Sequence, residues 1–190
     1  MHASDARKMA TWIASLSRHP MTVTDASAGC GGLACELVSS GLFEAVTAVE
    51  INQHRAQNLT LSNMEAAARH HCSATPYRVI VGDYTETMHN LRQDVVFFDP
   101  PWGGKDYRHA SDVVLGLGKW HLADIVVALW RHRRVSGTRF VVFAAPWNFA
   151  LLDVQQRLMR EGLQCTQAVG LYVHRFQTFV VDFESTIQNA

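Results

Sequence analysis

The chain has 190 residues, of which 48% are hydrophobic and 18% are charged, and its formal net charge is zero. This composition is typical of a globular domain with a sizeable core and excludes a disordered chain. A neutral chain is not a general polyanion binder, so we expect any nucleic acid to be recognised through a small element. The N-terminal residues lack the apolar core of a signal peptide, and no apolar stretch is long enough to predict a membrane span.

Strand-like and helix-like segments alternate along the whole chain. In the first half they predict a helix at 5–17, a strand at 21–25, a small-residue loop at 26–32, a helix at 33–40, a strand at 45–49, a helix at 53–69 and a strand at 77–81. In the second half they predict a strand at 95–98, a helix at 122–132, a strand at 139–145, a helix at 151–161 and two extended segments at 165–173 and 176–183.

Strands that are separated by helices are expected to be parallel, whereas the last two, joined by a very short connection, are expected to be antiparallel. The sequence therefore predicts an α/β fold, a doubly wound seven-stranded Rossmann-like sheet with one antiparallel strand near the C-terminus. We expect one domain over residues 1–190, with a short N-terminal helix or extension at 1–20 and a core at 21–183.

Acidic residues lie at or just after the ends of four of the predicted strands. They are Asp25, Glu50, Asp83 and Asp99, and the loop at 26–32 contains three glycines. Doubly wound folds bind ligands outside the carboxyl ends of their strands, and glycines let the backbone approach a ligand at a helix N-terminus. The pattern predicts a ligand site at this edge of the sheet.

Two classes of ligand could occupy this edge. A dinucleotide site also places an acid on a ribose, but Ala28 stands where its first glycine is expected, so Gly-x-Gly-x-x-Gly is absent. An acid at the end of the first strand, Asp25, suits S-adenosylmethionine, which carries an ammonium and a sulfonium. Glu50 would then take both ribose hydroxyls, and Asp83 would reach the adenine amino group with Tyr84 beside the ring. The alternative for Asp83 is a simple turn.

The octet Phe-Phe-Asp-Pro-Pro-Trp-Gly-Gly at 97–104 indicates methylation of a planar exocyclic amine. The lone pair of such an amine is delocalised into its ring. Asp99 and the carbonyl of Pro100 can accept its two N–H bonds and so favour a tetrahedral nitrogen aimed at a methyl donor. Two prolines make a stiff platform, and Trp102 offers a face for stacking. Taken alone, the octet could also be an ordinary end of a strand.

This ordered set resembles class I S-adenosylmethionine-dependent methyltransferases that act on amino nitrogens. Residues 100–107, Pro-Pro-Trp-Gly-Gly-Lys-Asp-Tyr, resemble trimethylguanosine synthases, which methylate N2 of the 7-methylguanosine cap of RNA. The resemblance spans about residues 21–183. It implies S-adenosylmethionine as cofactor, S-adenosylhomocysteine as product, no metal, and capped RNA or a cap-like guanine nucleotide as partner.

The resemblance also implies roles for individual residues. The catalytic residues would be Asp99, Pro100 and Trp102. The cofactor-binding residues would be Asp25, Ala26, Ser27, Gly29, Glu50, Ile51, Asp83, Tyr84 and Asp99. The substrate-binding residues would be Pro101, Trp102, Lys105, Tyr107, Arg108, Trp147 and Asn148.

Two departures from the family pattern concern the substrate. Family members usually have an N-terminal extension that contributes to cap binding, and about twenty residues precede the first strand here. Trp147 replaces a basic residue and is either a second stacking surface or core filler. Lys105, Arg108 and His109 could meet phosphates or form a solvated loop, and His174-Arg175 could border the substrate mouth.

Other readings remain open at this point. The chain could methylate adenine N6 of DNA or RNA, an internal guanine N2, or a glutamine of a protein, or it could be an inactive binding module. The four cysteines show no disulfide framework, which favours a reducing intracellular compartment, the cytoplasm or nucleus. His70-His71-Cys72 lacks a matching downstream pair, so we expect no metal site there. A protein partner or a homodimer is also open.

Overall fold

Among residues 1–168, 171 and 176–185, which the computed structural model describes, nine strands form two sheets. The strands are β1 (Thr22–Asp25), β2 (Ala45–Glu50), β3 (Tyr77–Val81), β4 (Val95–Phe98), β5 (Gly116–Leu117), β6 (Trp120–His121), β7 (Phe140–Ala145), β8 (Thr166–Gln167) and β9 (Gln177–Asp182). The large sheet has seven strands in the order β3-β2-β1-β4-β7-β9-β8, and β5 and β6 form a separate hairpin.

The strand order of the large sheet reverses between β1 and β4. Strands β3, β2, β1, β4 and β7 are parallel, whereas β9 is antiparallel to both of its neighbours, β7 and β8. The predicted fold, an α/β doubly wound seven-stranded sheet with one antiparallel strand near the C-terminus, is confirmed. Because β1 and β4 are adjacent at the reversal, the residues that follow them meet in the crevice where such sheets bind ligands.

Seven α-helices are present in the described part of the chain. They are α1 (Ala3–Ala14), α2 (Gly32–Ser40), α3 (Gln53–Arg55), α4 (Leu61–His70), α5 (Tyr84–Thr87), α6 (Leu122–Ser136) and α7 (Leu151–Met159). Helices α1, α2 and α4 pack on one face of the sheet, and α6 and α7 pack on the other. None of the helices in these residues is long and apolar enough to cross a bilayer.

The position of β4 in the sheet explains why its sequence is an unbroken apolar segment. Val95 and Phe97 point into the core under α1 and α2, whereas Val96 and Phe98 point into the core under α6. Side chains alternate across a strand, so a parallel strand covered on both faces needs apolar residues at every position. All four side chains are buried, and the strand fixes the position of Asp99, which follows it, at the edge of the sheet.

The helix predicted at 53–69 differs from a single regular α-helix. A π-helical turn, Ala56–Thr60, joins α3 to α4. Within it the Thr60 hydroxyl donates to the carbonyls of Gly29 (2.8 Å) and Arg55 (3.1 Å). The wider turn thus brings Thr60 onto the loop that follows β1. Hydrophobic periodicity does not distinguish a π turn from an α turn, so the sequence could not locate it.

Other boundaries moved by a few residues. The first helix runs from Ala3 to Ala14 rather than over 5–17, and α6 continues to Ser136, where Gly137 (φ +81°) ends it. Short helical segments at Tyr84–Thr87, Met88–Asn90 and Gly104–His109 and the hairpin of β5 and β6 were not predicted. Of the extended segment expected at 165–173, Thr166–Gln167 is a strand, and residues 169–170 and 172–175 lie outside the described residues.

Candidate active site

A cavity of about 350 Å³ lies at the carboxyl ends of β1 to β4. Backbone and side chains from all four strand ends contribute to it, as the sheet topology requires. We call it the strand-edge cavity. Of the residues predicted to bind the cofactor, its wall contains Ala26, Ser27, Gly29, Glu50, Ile51, Asp83, Tyr84 and Asp99.

Glu50 is held by backbone N–H groups. The amide of Gly29 donates to its Oε2 at 2.8 Å, and the amide of Asn52 donates to its Oε1 at 2.9 Å. The guanidinium of Arg55 lies 3.6 Å from the same Oε1. A carboxylate has about four lone-pair positions, so Glu50 is fixed in place and still has acceptor capacity for two neighbouring hydroxyls.

The loop after β1 is anchored to the helical segment behind it. Besides the Thr60 hydroxyl on the carbonyl of Gly29, the Asn63 side chain donates to the carbonyl of Cys30 at 2.9 Å. Gly31 has φ +84°, and a Cβ there would lie 3.3 Å from the Thr60 methyl group. The positive φ strongly favours glycine at position 31, and the close approach of Thr60 adds to that preference. The loop is therefore held in position independently of a ligand.

Asp83 lies at the start of α5 and faces the cavity. Its Oδ1 accepts hydrogen bonds from the amide and the hydroxyl of Thr85, both at 2.8 Å. Its Oδ2 lies 3.6 Å from the position that a Cβ on Gly118 would take, so the β5–β6 hairpin passes close to it. Asp83 thus caps a helix and also lines the cavity. Tyr84 is buried, and its hydroxyl accepts a hydrogen bond from Gln93 at 2.8 Å.

Asp25 lies behind the loop rather than in the wall of the strand-edge cavity. Its side chain is buried, and its Oδ1 accepts a long hydrogen bond (3.4 Å) from the amide of Ser27. Burial raises the pKa of Asp25 to about 7, and the Asp99 and Glu50 carboxylates act in the same direction, against the Ser27 hydrogen bond. The structure therefore places Asp25 under the loop and outside the wall of the strand-edge cavity, and its role beside a cationic ligand stays a prediction.

Asp99 joins the loop after β4 to the loop after β1. Its amide donates to the Ser27 hydroxyl at 3.1 Å, and the Ala26 amide donates to the carbonyl of Phe97 at 2.9 Å. Burial raises the pKa of the Asp99 carboxyl above its usual range. Among the described residues, none donates a hydrogen bond to the Asp99 carboxylate or to the Pro100 carbonyl. The Asp99 carboxylate lines both cavities and is available to a ligand, whereas Pro100 is buried and lines neither cavity.

A second cavity of about 840 Å³ opens on the other side of Asp99. We call it the aromatic cavity. Its wall consists of Met1, His2, Asp5, Asp99, Trp102, Tyr107, Arg108, Trp147 and Phe176. Trp102 contacts the rings of Tyr107 and Phe176 edge-on, with centroid distances of 5.3 and 6.5 Å. In the described residues, Asp99 is the one member common to both cavity walls.

The residues predicted to bind substrate are distributed over several places. Trp102, Tyr107, Arg108 and Trp147 line the aromatic cavity, and Trp147 is 68% exposed at its rim. Pro101 lines the strand-edge cavity instead.

Other predicted residues lie elsewhere. Asn148 is buried, and its amide donates to the carbonyls of Tyr107 (2.7 Å) and Ala110 (2.8 Å), so it holds the helical turn at Gly104–His109. The Lys105 side chain and His174-Arg175 lie outside the described residues.

Several residues of the two cavity walls are not among the site residues predicted from the sequence. In the strand-edge cavity these are Val49, Arg55, Gly82 and the hairpin residues Gly116, Leu117 and Gly118. In the aromatic cavity they are Met1, His2, Asp5 and Phe176. The closely spaced glycines at 116 and 118 could have indicated a turn. Within the described chain, no three His, Cys, Asp or Glu side chains are grouped as a metal site.

The donor and acceptor groups of the strand-edge cavity fit S-adenosylmethionine. Glu50 and Asp83 present carboxylates with free lone pairs, which suit ribose hydroxyls and an adenine amino group. Ile51 and Leu117 supply apolar surface for a ring in the same wall. Asp99 lies between this cavity and the aromatic cavity, so a group bound in one can meet a group bound in the other.

Comparisons with known proteins agree with this arrangement. Residues 21–175 match the family described as RNA cap guanine-N2 methyltransferase. The uncharacterized protein L320 of Acanthamoeba polyphaga mimivirus is 26% identical over 129 residues, which is 68% of this chain and 47% of that protein. The chain therefore spans about half the length of this relative.

Solved structures of methyltransferases share the fold. Precorrin-6y C5,15-methyltransferase from Geobacter metallireducens superposes with a TM-score of 0.58 at 16% identity, covering 92% of this chain and 86% of that one. TrmK from M. capricolum, solved with S-adenosylhomocysteine, gives a TM-score of 0.57 at 13% identity over 92% and 67%. The chain belongs to the RNA cap guanine-N2 methyltransferase family and is an S-adenosylmethionine-dependent methyltransferase with an α/β Rossmann-like fold.

Proposed function

We propose that the protein transfers methyl groups to the exocyclic N2 of guanine in the 7-methylguanosine cap of RNA, forming a hypermethylated cap as trimethylguanosine synthases do. The observation that carries this proposal is the position of Asp99, which lines both the strand-edge cavity and the aromatic cavity. The match to the RNA cap guanine-N2 family supports the choice of substrate.

The acceptor groups at the junction suit an amino group. The Asp99 carboxylate has no hydrogen-bond donor among the described residues and lines both cavities, so it can accept one N–H of guanine N2. In this proposal the carbonyl of Pro100, which has no donor among these residues either, accepts the other N–H. Accepting both bonds draws the nitrogen lone pair out of the ring and directs it at the strand-edge cavity, which lowers the barrier through position and electrostatics. S-adenosylmethionine bound there would supply an activated methyl group on its sulfonium.

Asp99 is also suited to take the proton that N2 must lose. The amine becomes acidic only after it has been methylated, so no strong base is needed before transfer. Burial raises the pKa of Asp99 above its usual range, which makes its carboxylate a better proton acceptor than a solvated aspartate. Asp99 or solvent completes the step.

The aromatic cavity suits a flat, positively charged base. Trp102 is held by its edge-on contacts with Tyr107 and Phe176, and Trp147 adds a second indole at the rim. A cationic purine over an indole gains about 0.5–2 kcal/mol beyond ordinary stacking. Arg108, exposed beside Tyr107 with its guanidinium carbon 5.8 Å from that ring, could meet the cap phosphates.

Capped RNA is the partner that this function implies, in the cytoplasm or nucleus. We take the RNA body, any protein partner and the compartment as parts of the proposal, because the family match covers residues 21–175 and the aligned region is 47% of the mimivirus relative.

The test is mass spectrometry of a 7-methylguanosine cap dinucleotide after incubation with the protein and S-adenosylmethionine. We expect a gain of one or two methyl groups, located on N2 by fragmentation. The unmethylated cap dinucleotide serves as the matched substrate control. The proposal is wrong if the cap gains no methyl group while S-adenosylmethionine still binds, and methylation of uncapped oligonucleotides would then indicate an internal guanine or adenine.

A further inference from the structure

The first turn of α1 contributes an unexplained carboxylate to the aromatic cavity. Asp5 lines this cavity together with Asp99 and Trp102, and only 7% of it is exposed. Among the described residues, none forms a hydrogen bond or an ion pair with the Asp5 carboxylate. Asp5 is thus a nearly buried residue whose carboxylate has no partner in this part of the chain, and its place in the cavity wall points to a ligand that pairs with it.

A role at the start of the helix does not explain this burial. Helix α6 begins in the same way as α1: His2 and His121 are the N-caps, and their ring nitrogens accept from the amides of Ser4 (3.4 Å) and Ala123 (3.1 Å). Asp124 occupies the same position in α6 as Asp5 does in α1, yet it is exposed and lines neither the aromatic nor the strand-edge cavity. An acidic side chain in the first turn can therefore interact favourably with the helix dipole while it remains exposed to solvent.

The charged side chains of the aromatic cavity lie at different depths, and the N-terminal ammonium of Met1, which also lines the cavity, acts on Asp99. Asp5 is buried and Asp99 is partly buried, while the basic side chain of Arg108 is exposed. The flat indole of Trp102 lies in the same wall. A complementary ligand would have a flat cationic part that enters the cavity and an anionic part that stays outside it.

We propose that Asp5 is a specificity-determining residue whose carboxylate accepts the N1–H of a guanine that carries a positive charge from methylation at N7. This inference rests on the proposed function, in which Asp99 accepts from N2. Methylation at N7 spreads positive charge over the purine and strengthens N1–H as a donor. A hydrogen bond between two charged partners is about twice as strong as a neutral one. Asp5 thereby selects 7-methylguanine over unmodified guanine.

The experiment measures this selection directly. The dissociation constants of 7-methylguanosine diphosphate and guanosine diphosphate are determined by calorimetry with S-adenosylhomocysteine present, for the wild-type protein, Asp5→Asn, Asp5→Glu and Asp124→Asn. Methyl transfer to the 7-methylguanosine cap dinucleotide gives KM and kcat for the same proteins. Asp124→Asn is the matched control, because it removes the equivalent acid from the other helix.

We expect Asp5→Asn to weaken binding of the methylated nucleotide by about tenfold or more, with a much smaller change for guanosine diphosphate. Its KM should rise by the same factor, and its kcat should stay within about threefold of wild type, because Asp99 and Pro100 are unchanged. Asp5→Glu, which keeps the charge, should retain most of the preference, and Asp124→Asn should retain all of it.

Two results would overturn the role of Asp5: equal losses for both nucleotides in Asp5→Asn, or the same change in Asp124→Asn. Thermal melting checks that Asp5→Asn is folded. If it is not, Asp5→Ser removes the charge with another residue that helix starts accept. A wild-type protein that transfers no methyl group to the cap would refute the proposed function, whereas an active protein with an unchanged preference in Asp5→Asn would refute the role of Asp5 alone.

Discussion

The two cavities that meet at Asp99 are built in different ways. The strand-edge cavity is formed by residues that directly follow neighbouring parallel strands, and its loops are joined by short hydrogen bonds such as Gly29 to Glu50 (2.8 Å). The aromatic cavity combines the start of α1, the turn after β4, the turn after β7 and a residue before β9. Sheet topology determines most of the first cavity, which the β5–β6 hairpin completes, whereas the second depends on where distant segments return to the sheet.

The difference also concerns rigidity. Thr60 and Asn63 tie the loop of the strand-edge cavity to the helical segment behind it through two carbonyls. The described contacts of Trp102 in the aromatic cavity are edge-on ring contacts, which are less directional than hydrogen bonds. We therefore expect substitutions in the first cavity to change cofactor affinity sharply, and substitutions in the second to change substrate affinity more gradually.

Asp99→Asn should have the largest effect, because Asp99 serves both cavities. Asparagine keeps the size of the side chain but loses the charge that accepts an N2–H and the proton. By analogy with the loss of one stabilising group in other active sites, kcat should fall by about 10²–10³-fold. Steady-state kinetics and calorimetry with S-adenosylmethionine check this. An equal loss in cofactor affinity and kcat would place Asp99 in the strand-edge cavity alone.

The pH dependence of the wild-type protein is the control for that substitution. The acceptor is the carboxylate, and burial raises its pKa, so kcat should fall as the pH decreases through a value above the usual range of aspartate. Asp99→Asn should not show this decrease of kcat at low pH. The same decrease in the variant would mean that another group titrates.

Glu50→Gln tests the strand-edge cavity alone. The Glu50 carboxylate accepts amides from Gly29 and Asn52, and a glutamine oxygen cannot replace both carboxylate oxygens. The variant should therefore lose a hydrogen bond from a ribose hydroxyl of the cofactor. Losing a hydrogen bond to a charged group costs about 1.5–3 kcal/mol, so S-adenosylmethionine affinity should fall by about 10- to 100-fold. At saturating cofactor kcat should be nearly unchanged. Glu65→Gln, a partly exposed acid on α4, is the control, and an affinity equal to that of wild type would remove Glu50 from the site.

The sequence predicted the strand-edge cavity more completely than the aromatic cavity. Strand ends can be located from apolar segments, so acids that follow strands, such as Glu50 and Asp83, can be placed at one edge without knowledge of packing. The contribution of Asp5 depends on how α1 lies against the sheet, and local periodicity contains no information on that. Asn148 shows the same limit: the sequence does not indicate that its amide nitrogen donates to the backbone of Tyr107 and Ala110, and its contact with substrate stays a prediction.

Trp102→Ala and Trp147→Ala rank the two indoles of the aromatic cavity. Stacking of a base on an aromatic side chain contributes about 1–3 kcal/mol, so Trp102→Ala should raise KM for the cap dinucleotide by about tenfold or more. Trp147 is 68% exposed at the rim, and its replacement should have a smaller effect. Trp102→Phe, which keeps an aromatic face, should recover most of the affinity. Equal effects of the two alanine variants would contradict a deep and a peripheral stacking position.

Asp25→Asn should produce the smallest effect, and it appears in stability. The folded pKa of Asp25 is raised to about 7 by burial, well above that of the unfolded chain. The folded protein therefore binds more protons, and this residue makes the free energy of unfolding decrease as the pH rises from about 4 to about 7. Between pH 6 and pH 7 the wild-type protein should lose about 1 kcal/mol relative to Asp25→Asn.

Urea unfolding at both pH values measures this difference, with Asp124→Asn as the exposed control. Parallel curves would mean that Asp25 is not buried as a titrating group. We expect Asp25→Asn to change stability and to weaken S-adenosylmethionine binding less than Glu50→Gln does. That result would show that Asp25 supports the loop of the strand-edge cavity and does not contact the ligand.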